Sequence, residues 1–216
     1  MNELVDFFHR GGILVMSSIA LVLGGSLIII VERAVRFWSY DLMNSSGFMA
    51  AVQKMVMNNS IENAIRLCKK AKPKLVPFIL SEGLKRANDT PEEIEYAMET
   101  ATLSALPKVN RFVASLGTAA NIATLLGLLG TIFGLIKSFG AAASAGGVEK
   151  QRVLAEGISE ALTATSFGLG TALFCIFVHG LLTIKQQAIV ADIHQNVAKL
   201  TDLLYTRQMK IKGRNT

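Results

Sequence analysis

The sequence predicts an all-α membrane protein with three transmembrane helices, two of them extended into a cytoplasmic helical domain. Three observations carry this reading. First, 51% of the 216 residues are hydrophobic, and they gather in blocks, which points to a membrane protein before any motif is read. Second, three blocks are long enough to cross about 30 Å of hydrocarbon as helices. Ile13 to Val31 holds no charge, Phe112 to Ile136 follows, and Ile158 to Ile184 is interrupted only by Glu160 and His179. Third, Ile189, Ile193, Val197, Leu200 and Leu204 keep helical spacing beyond the last block, so the third span should continue as an amphipathic helix.

The organisation that follows is an external interfacial helix (1–12), transmembrane helix 1 (13–31), a cytoplasmic helical segment (32–111), transmembrane helix 2 (112–139), a short external loop (140–156), transmembrane helix 3 (157–184) and a cytoplasmic helical tail (185–216). The first apolar block is too long, and too sharply ended by Glu32-Arg33, for a cleaved signal segment, and it is expected to stay as an anchor. Orientation comes from the bases near the spans. Arg33, Arg36, Lys108 and Arg111 flank the middle segment, and Lys185, Arg207, Lys210, Lys212 and Arg214 lie in the tail. The other side holds Arg10, Lys137, Lys150 and Arg152. The positive-inside bias puts the N-terminus outside and the C-terminus in the cytoplasm. The net charge of +6 is accounted for by topology, and no basic stripe interleaved with aromatics suggests nucleic acid as a partner. Cys68 and Cys175 fall in different compartments, so no disulfide is expected.

Taken in order, Leu4, Val5, Phe7 and Phe8 beside Glu3, Asp6 and Arg10 suit a short interfacial helix, broken by Gly11-Gly12. Arg36, Trp38 and Tyr40 are interfacial anchors after span one, and Gly24-Gly25-Ser26 marks a candidate helix contact. Ser60 is an N-cap candidate for a helix with Ile61, Ala64, Ile65 and Cys68 on one face. Thr90-Pro91-Glu92-Glu93 reads as a capping box with proline at the first helical position. Since no glycine intervenes between Pro91 and Gly117, one helix is expected to run into span two, bent at Pro107. Gly-Ala-Ala-Ala-Ser-Ala-Gly-Gly after Phe139 reads as a flexible connection.

The most specific text is Ala123 to Gly134, Ala-Thr-Leu-Leu-Gly-Leu-Leu-Gly-Thr-Ile-Phe-Gly. On a helix, Gly117, Ala120, Thr124, Gly127, Thr131, Gly134 and Ser138 share one face. Small residues let backbones approach in hydrocarbon, and hydroxyls serve either a neighbouring helix or a polar path. Gly127, Gly130, Gly134 and Gly168 are the candidate close-packing glycines. In span three, Glu160, Thr163 and Thr171 share one face, while Ala161, Thr165, Gly168, Ala172 and Cys175 share another. Two faces imply two neighbours. Glu160, an ionisable side chain at the edge of a span, is a functional candidate by default. It would concentrate cations where hydroxyls replace lost hydration. A purely structural reading stands beside this one, in which the hydroxyls bond their own helix and the glycines only pack. His9, His179 and His194 show no metal-ligand spacing, and no catalytic or cofactor motif is present, so neither an enzyme, a cofactor nor a metal is expected.

Leu-Gly-Leu-Leu-Gly-Thr-Ile-Phe-Gly-Leu-Ile in span two and Gly-Ile-Ser-Glu-Ala-Leu-Thr-Ala-Thr-Ser-Phe-Gly-Leu in span three resemble the ExbB/TolQ/MotA proton-channel family, most of all its ExbB/TolQ branch. The resemblance implies a homopentamer in a bacterial inner membrane, enclosing two copies of a single-span ExbD- or TolR-like partner whose aspartate carries the proton. It further implies an ion-conducting stator subunit of a motor driven by the proton-motive force. Thr131 and Thr165 match the family's pore-facing threonines, and Glu160 matches the glutamate opening span three. With Thr124 and Thr163 they form the candidate ion path. Where the family commonly has Ala-Pro, this chain has Ala123-Thr124, and the added hydroxyl suits sodium ions as well as protons. The competing expectation is a passive assembly scaffold without ion conduction.

Overall fold

The computed structural model describes residues 11–41, 45–71, 74–144 and 146–212, with the side chains of 38–41, 45 and 108 left undescribed. The expected helix over Asn2 to Arg10, the tail residue Arg214 and the anchoring side chains of Trp38 and Tyr40 lie outside what is described. Every element among the described residues is a helix: α1 (Ile13–Asp41), α2 (Ser45–Met57), α3 (Ile61–Lys70), α4 (Leu75–Lys85), α5 (Pro91–Asn110), α6 (Val113–Ser144) and α7 (Gly147–Lys212). Three are long and apolar enough to cross a membrane: α1 over Ile13–Phe37, α6 and α7. Contacts divide the chain into two units, one of Met1–Ala34 with Phe112–Thr183 and one of Val35–Arg111 with Ile184–Thr216.

In the first unit, Val15 and Ile19 of α1 pack on Ala164 of α7, with Leu126 and Phe167 alongside. One turn of sequence further, Val22 packs on Ala120, Ala123, Ala172 and Cys175. These contacts run α1 alongside α7 and antiparallel to α6. Most large side chains of α6 and α7, among them Leu125, Phe133, Leu173 and Phe177, face outward. That is the inverse of a water-soluble core and suits a hydrocarbon surround. Gly24 and Gly25 have open space beside them, so of the expected contact only Ser26 is buried, its hydroxyl donating to Val22 O at 2.8 Å. Glu32-Arg33 ends the apolar run without ending the helix. Arg33 is buried, 3.1 Å from Glu32, with its guanidinium 5.7 Å from the Phe112 ring centroid.

The second unit is built around α4, of which Leu75, Val76, Ile79, Leu80 and Leu84 are buried. Ala64 and Cys68 of α3 are buried, as are Ile94, Met98, Ala105 and Val109 of α5 and Ile193, Leu200 and Leu204 of α7. The last set is three of the five residues of the stripe expected from the tail; Ile189 and Val197 are half-buried, and Asn196 is buried among them. The tail runs antiparallel to α5. Gln186 donates to Asn110 Oδ1 at 2.7 Å and Gln208 to Asp89 O at 2.7 Å. Arg207 closes the far end, donating to Asn59 Oδ1 from two nitrogens at 2.9 and 2.7 Å, to Asn88 Oδ1 and to Ala87 O.

Local signals fared unequally. The capping box forms, with Glu93 N–H on Thr90 Oγ1 and Thr90 N–H on Glu93 Oε2. Ser60 occupies the N-cap position of α3 but makes no capping bond, its hydroxyl donating instead to Asn58 O at 3.4 Å. The expected continuous helix from Pro91 into span two is broken, and not at Pro107, which sits inside α5. The chain turns at Arg111, extended at φ −54° and ψ 132°, and at Phe112, left-handed at φ +61°. A left-handed non-glycine residue costs about 1–3 kcal/mol and persists only where its surroundings impose it. The expected flexible stretch after Phe139 is helical to Ser144, and α7 starts at Gly147. Alanines favour helix wherever nothing opposes it, and the left-handed Gly147 (φ +55°) supplies the turn. Just beyond it, hydrogen bonds from Arg152, then its charge, hold the exposed Glu149 carboxyl below the usual carboxylate value.

Arg207→Ala removes four hydrogen bonds that tie three segments together, so it should destabilise the chain by about 2 kcal/mol or more, against about 1 kcal/mol for loss of the cap in Thr90→Ala. Thermal unfolding of the purified full chain in detergent would rank the two.

Candidate functional site: the seam between α6 and α7

Small residues on two antiparallel helices bring their backbones nearly into contact. Beyond Val113 and Leu116 at its start, the buried positions of α6 are all small: Ala120, Ala123, Gly127, Gly130, Gly134, Ser138 and Ala142. A Cβ on Gly168 would lie 2.7 Å from Ala123 O and 2.9 Å from Gly127 Cα; one on Gly130 would lie 2.7 Å from Ala164 Cβ and 3.0 Å from Val15 Cγ1. Gly134 stands against Ala161, with a Cβ 3.0 to 3.2 Å from its atoms, and a Cβ on Gly157 would collide with Ser138. At Gly127, Gly134 and Gly168 the neighbour is backbone, which gives way little, so a side chain there would force the two helices apart.

The axis of the seam runs through Ala123 and Gly130, rotated from the face expected to hold Thr124 and Thr131. Those two flank it: Thr124 is exposed and Thr131 half-buried. Thr124 donates to Ala120 O at 3.0 Å, Thr131 to Leu128 O at 2.6 Å and Thr163 to Ser159 O at 2.7 Å. Each hydroxyl hydrogen is thus used within its own helix, while the oxygen keeps acceptor capacity. Thr165 differs, since its hydroxyl crosses the seam to Gly127 O at 2.9 Å. Thr171 is buried; with Ser166, Phe167, Gly170 and Phe174 it lines a groove against Leu23 and Leu27 of α1. His179 packs beside Gly117, 3.9 Å from where a Cβ would be.

Glu160 is drawn into a contact that sequence reasoning missed. Lys137 Nζ donates to Glu160 Oε2 at 3.2 Å. Gly12, left-handed at φ +78°, lies on the other side, where a Cβ would be 2.9 Å from Glu160 Oε1. A usable signal was present: Lys137 is the one Asp, Glu, Lys or Arg between Phe112 and Phe139, and Glu160 the one between Gly157 and Ile184. Opposite charges that are each alone in their span are worth pairing in advance. Among the described residues no three His, Cys, Asp or Glu side chains gather as a metal site would need.

If the seam is set by backbone contact, Gly168→Ala should destabilise the chain by about 1–3 kcal/mol through overpacking. Gly170→Ala, with open space around it, should be neutral or stabilising by up to about 1 kcal/mol. Thermal unfolding of both variants in the same detergent is the check.

Residues 71–195, which contain α4 to α6 and much of α7, match the model of the MotA/TolQ/ExbB proton channel family. A Synechocystis protein named ExbB-like 3, of biopolymer transport, is 34% identical over 184 residues, 79% of this chain and 84% of the relative. A second Synechocystis protein, ExbB-like 1, is 30% identical over 208 residues, covering 94% and 79%. The Tol-Pal system protein TolQ of Haemophilus influenzae is 32% identical over 127 residues, 56% of this chain and 55% of the relative. On this evidence the chain, with its three apolar helices and its glycine seam, belongs to the MotA/TolQ/ExbB proton channel family.

Proposed function

We propose that this protein is an ion-conducting stator subunit of a motor driven by the proton-motive force in a bacterial inner membrane. It assembles as a homopentamer around two copies of a single-span ExbD- or TolR-like chain and energises an envelope process through that partner. Family membership over residues 71–195 is the observation that carries this reading. The chemistry of the spans supports it. Over residues 13–31, 112–139 and 157–184 the one carboxylate, Glu160, stands near a span end and is ion-paired, which fits a proton-carrying acid supplied by another chain, an aspartate on the partner. Thr131, Thr163 and Thr124 keep oxygen lone pairs that can accept from a hydrated proton or coordinate sodium. Thr165, at the seam, fixes the wall. The membrane potential supplies about 2.3 kcal/mol per charge per 100 mV, enough to bias rotation of the ring about its partner. By the positive-inside bias, the N-terminus is periplasmic, and the second unit lies in the cytoplasm.

The self-satisfied hydroxyls favour a second reading, a passive scaffold that uses its small residues only to pack. The two differ at Thr131. For a conductor, Thr131→Ala and Glu160→Ala in cells supplying the native partner should each lower ion-driven output by roughly tenfold or more, about 1.4 kcal/mol in the limiting barrier. For a scaffold, Thr131→Ala keeps output, and only Gly127→Leu or Gly134→Leu, which break the seam, abolish assembly. Wild-type output from both alanine variants at normal abundance would sink the conducting reading. Repeating the measurement at varied sodium and fixed driving force separates sodium from protons.

A further inference from the structure

We propose that Lys137 is a positioning residue for Glu160, and that the pair serves as a lock on the ends of all three apolar helices, not as a carrier of the ion. The proposal rests on the conducting reading above and gives Glu160 a definite role within it. Two independent observations carry it. The first is the ion pair itself, Nζ to Oε2 at 3.2 Å, which joins the end of α6 to the start of α7. The second is the backbone at Gly12. Its φ of +78° and the 2.9 Å between a would-be Cβ and Glu160 Oε1 bring the first turn of α1 against the carboxylate's other oxygen. Gly12 O accepts from Met16 N at 3.0 Å, which makes Gly12 the residue that starts α1. The first amides of a helix have no acceptor within it and carry partial positive charge. Glu160 therefore pairs with Lys137 of α6 through Oε2, while Oε1 lies close to the start of α1 and its partial positive charge.

The asymmetry of exposure separates the roles. The Lys137 side chain is 74% exposed and that of Glu160 24%. Glu160 is the seated member, and Lys137 reaches over from a long, wetted stem to cancel its charge. A carboxylate beside hydrocarbon without a counter-charge is costly, and a lysine alone there is costly too, so each residue explains the other. Removing both charges leaves nothing uncompensated. A carboxylate that carried ions would be missed whatever became of Lys137; a carboxylate that only locks helices would not.

That contrast is the test. Lys137→Met, Glu160→Gln, the double variant and Lys137→Arg are made in the full chain, in cells supplying the native partner, and ion-driven output is measured at matched abundance. Each single neutralisation should lower output about tenfold, because one charge is left unpaired, whereas the double should return to within about threefold of wild type. Lys137→Arg, which keeps the charge, should also stay within about threefold. A double variant no better than Glu160→Gln overturns the proposal, as does wild-type output from Lys137→Met. Melting temperatures of the same purified chains in detergent read the pair without any ion flow. The double should melt about 2 °C or more above the sum of the single effects. Additive melting overturns the pairing whatever the output. Coupled melting with no ion-driven output even from the unsubstituted chain upholds the pairing and overturns the conducting reading.

Discussion

The approach of α6 and α7 at Gly127 and Gly168 is the constraint on which the first unit depends. In hydrocarbon, apolar side chains gain nothing by leaving lipid for one another, so helices associate through close backbone packing and a few polar bonds. Gly168 stands where a Cβ would lie 2.7 Å from Ala123 O, and the Thr165 hydroxyl bonds Gly127 O beside it. Once these two backbones touch, the positions of Gly130 against Val15 and Ala164, and so of α1, follow.

The same seam settles what each polar group does. Thr165 is spent on the contact, whereas Thr131, Thr124 and Thr163 turn aside and satisfy their hydrogens locally. At one end the antiparallel register brings Lys137 level with Glu160. Chemistry is therefore distributed along the helix pair, with packing in the middle, hydroxyls on the flanks and charge at the end. In the second unit the physics is that of an ordinary water-soluble core. Ile193, Leu200 and Leu204 are buried there, and the amides and guanidinium of Gln186, Gln208 and Arg207 fasten the tail at both ends of α5.

What the sequence by itself determined was everything that rests on composition and period. Long uncharged runs need no partner to become helices in lipid, so the three apolar helices were legible. So were the tail stripe and the capping box at Thr90, because helical spacing and a four-residue cap are local. What tertiary structure alone decided were quantities of rotation and adjacency. The seam axis falls on Ala123 and Gly130 because a face of alternating small residues is too broad to point in a single direction until a partner helix chooses. At the break the left-handed position falls on Phe112 and not on Asn110 two residues before it, since a left-handed phenylalanine is held by its surroundings, including Arg33 at 5.7 Å, and not by its own preference. Lys137, read along the chain as one base among several, became the partner of Glu160 only when antiparallel packing closed their sequence separation of 23.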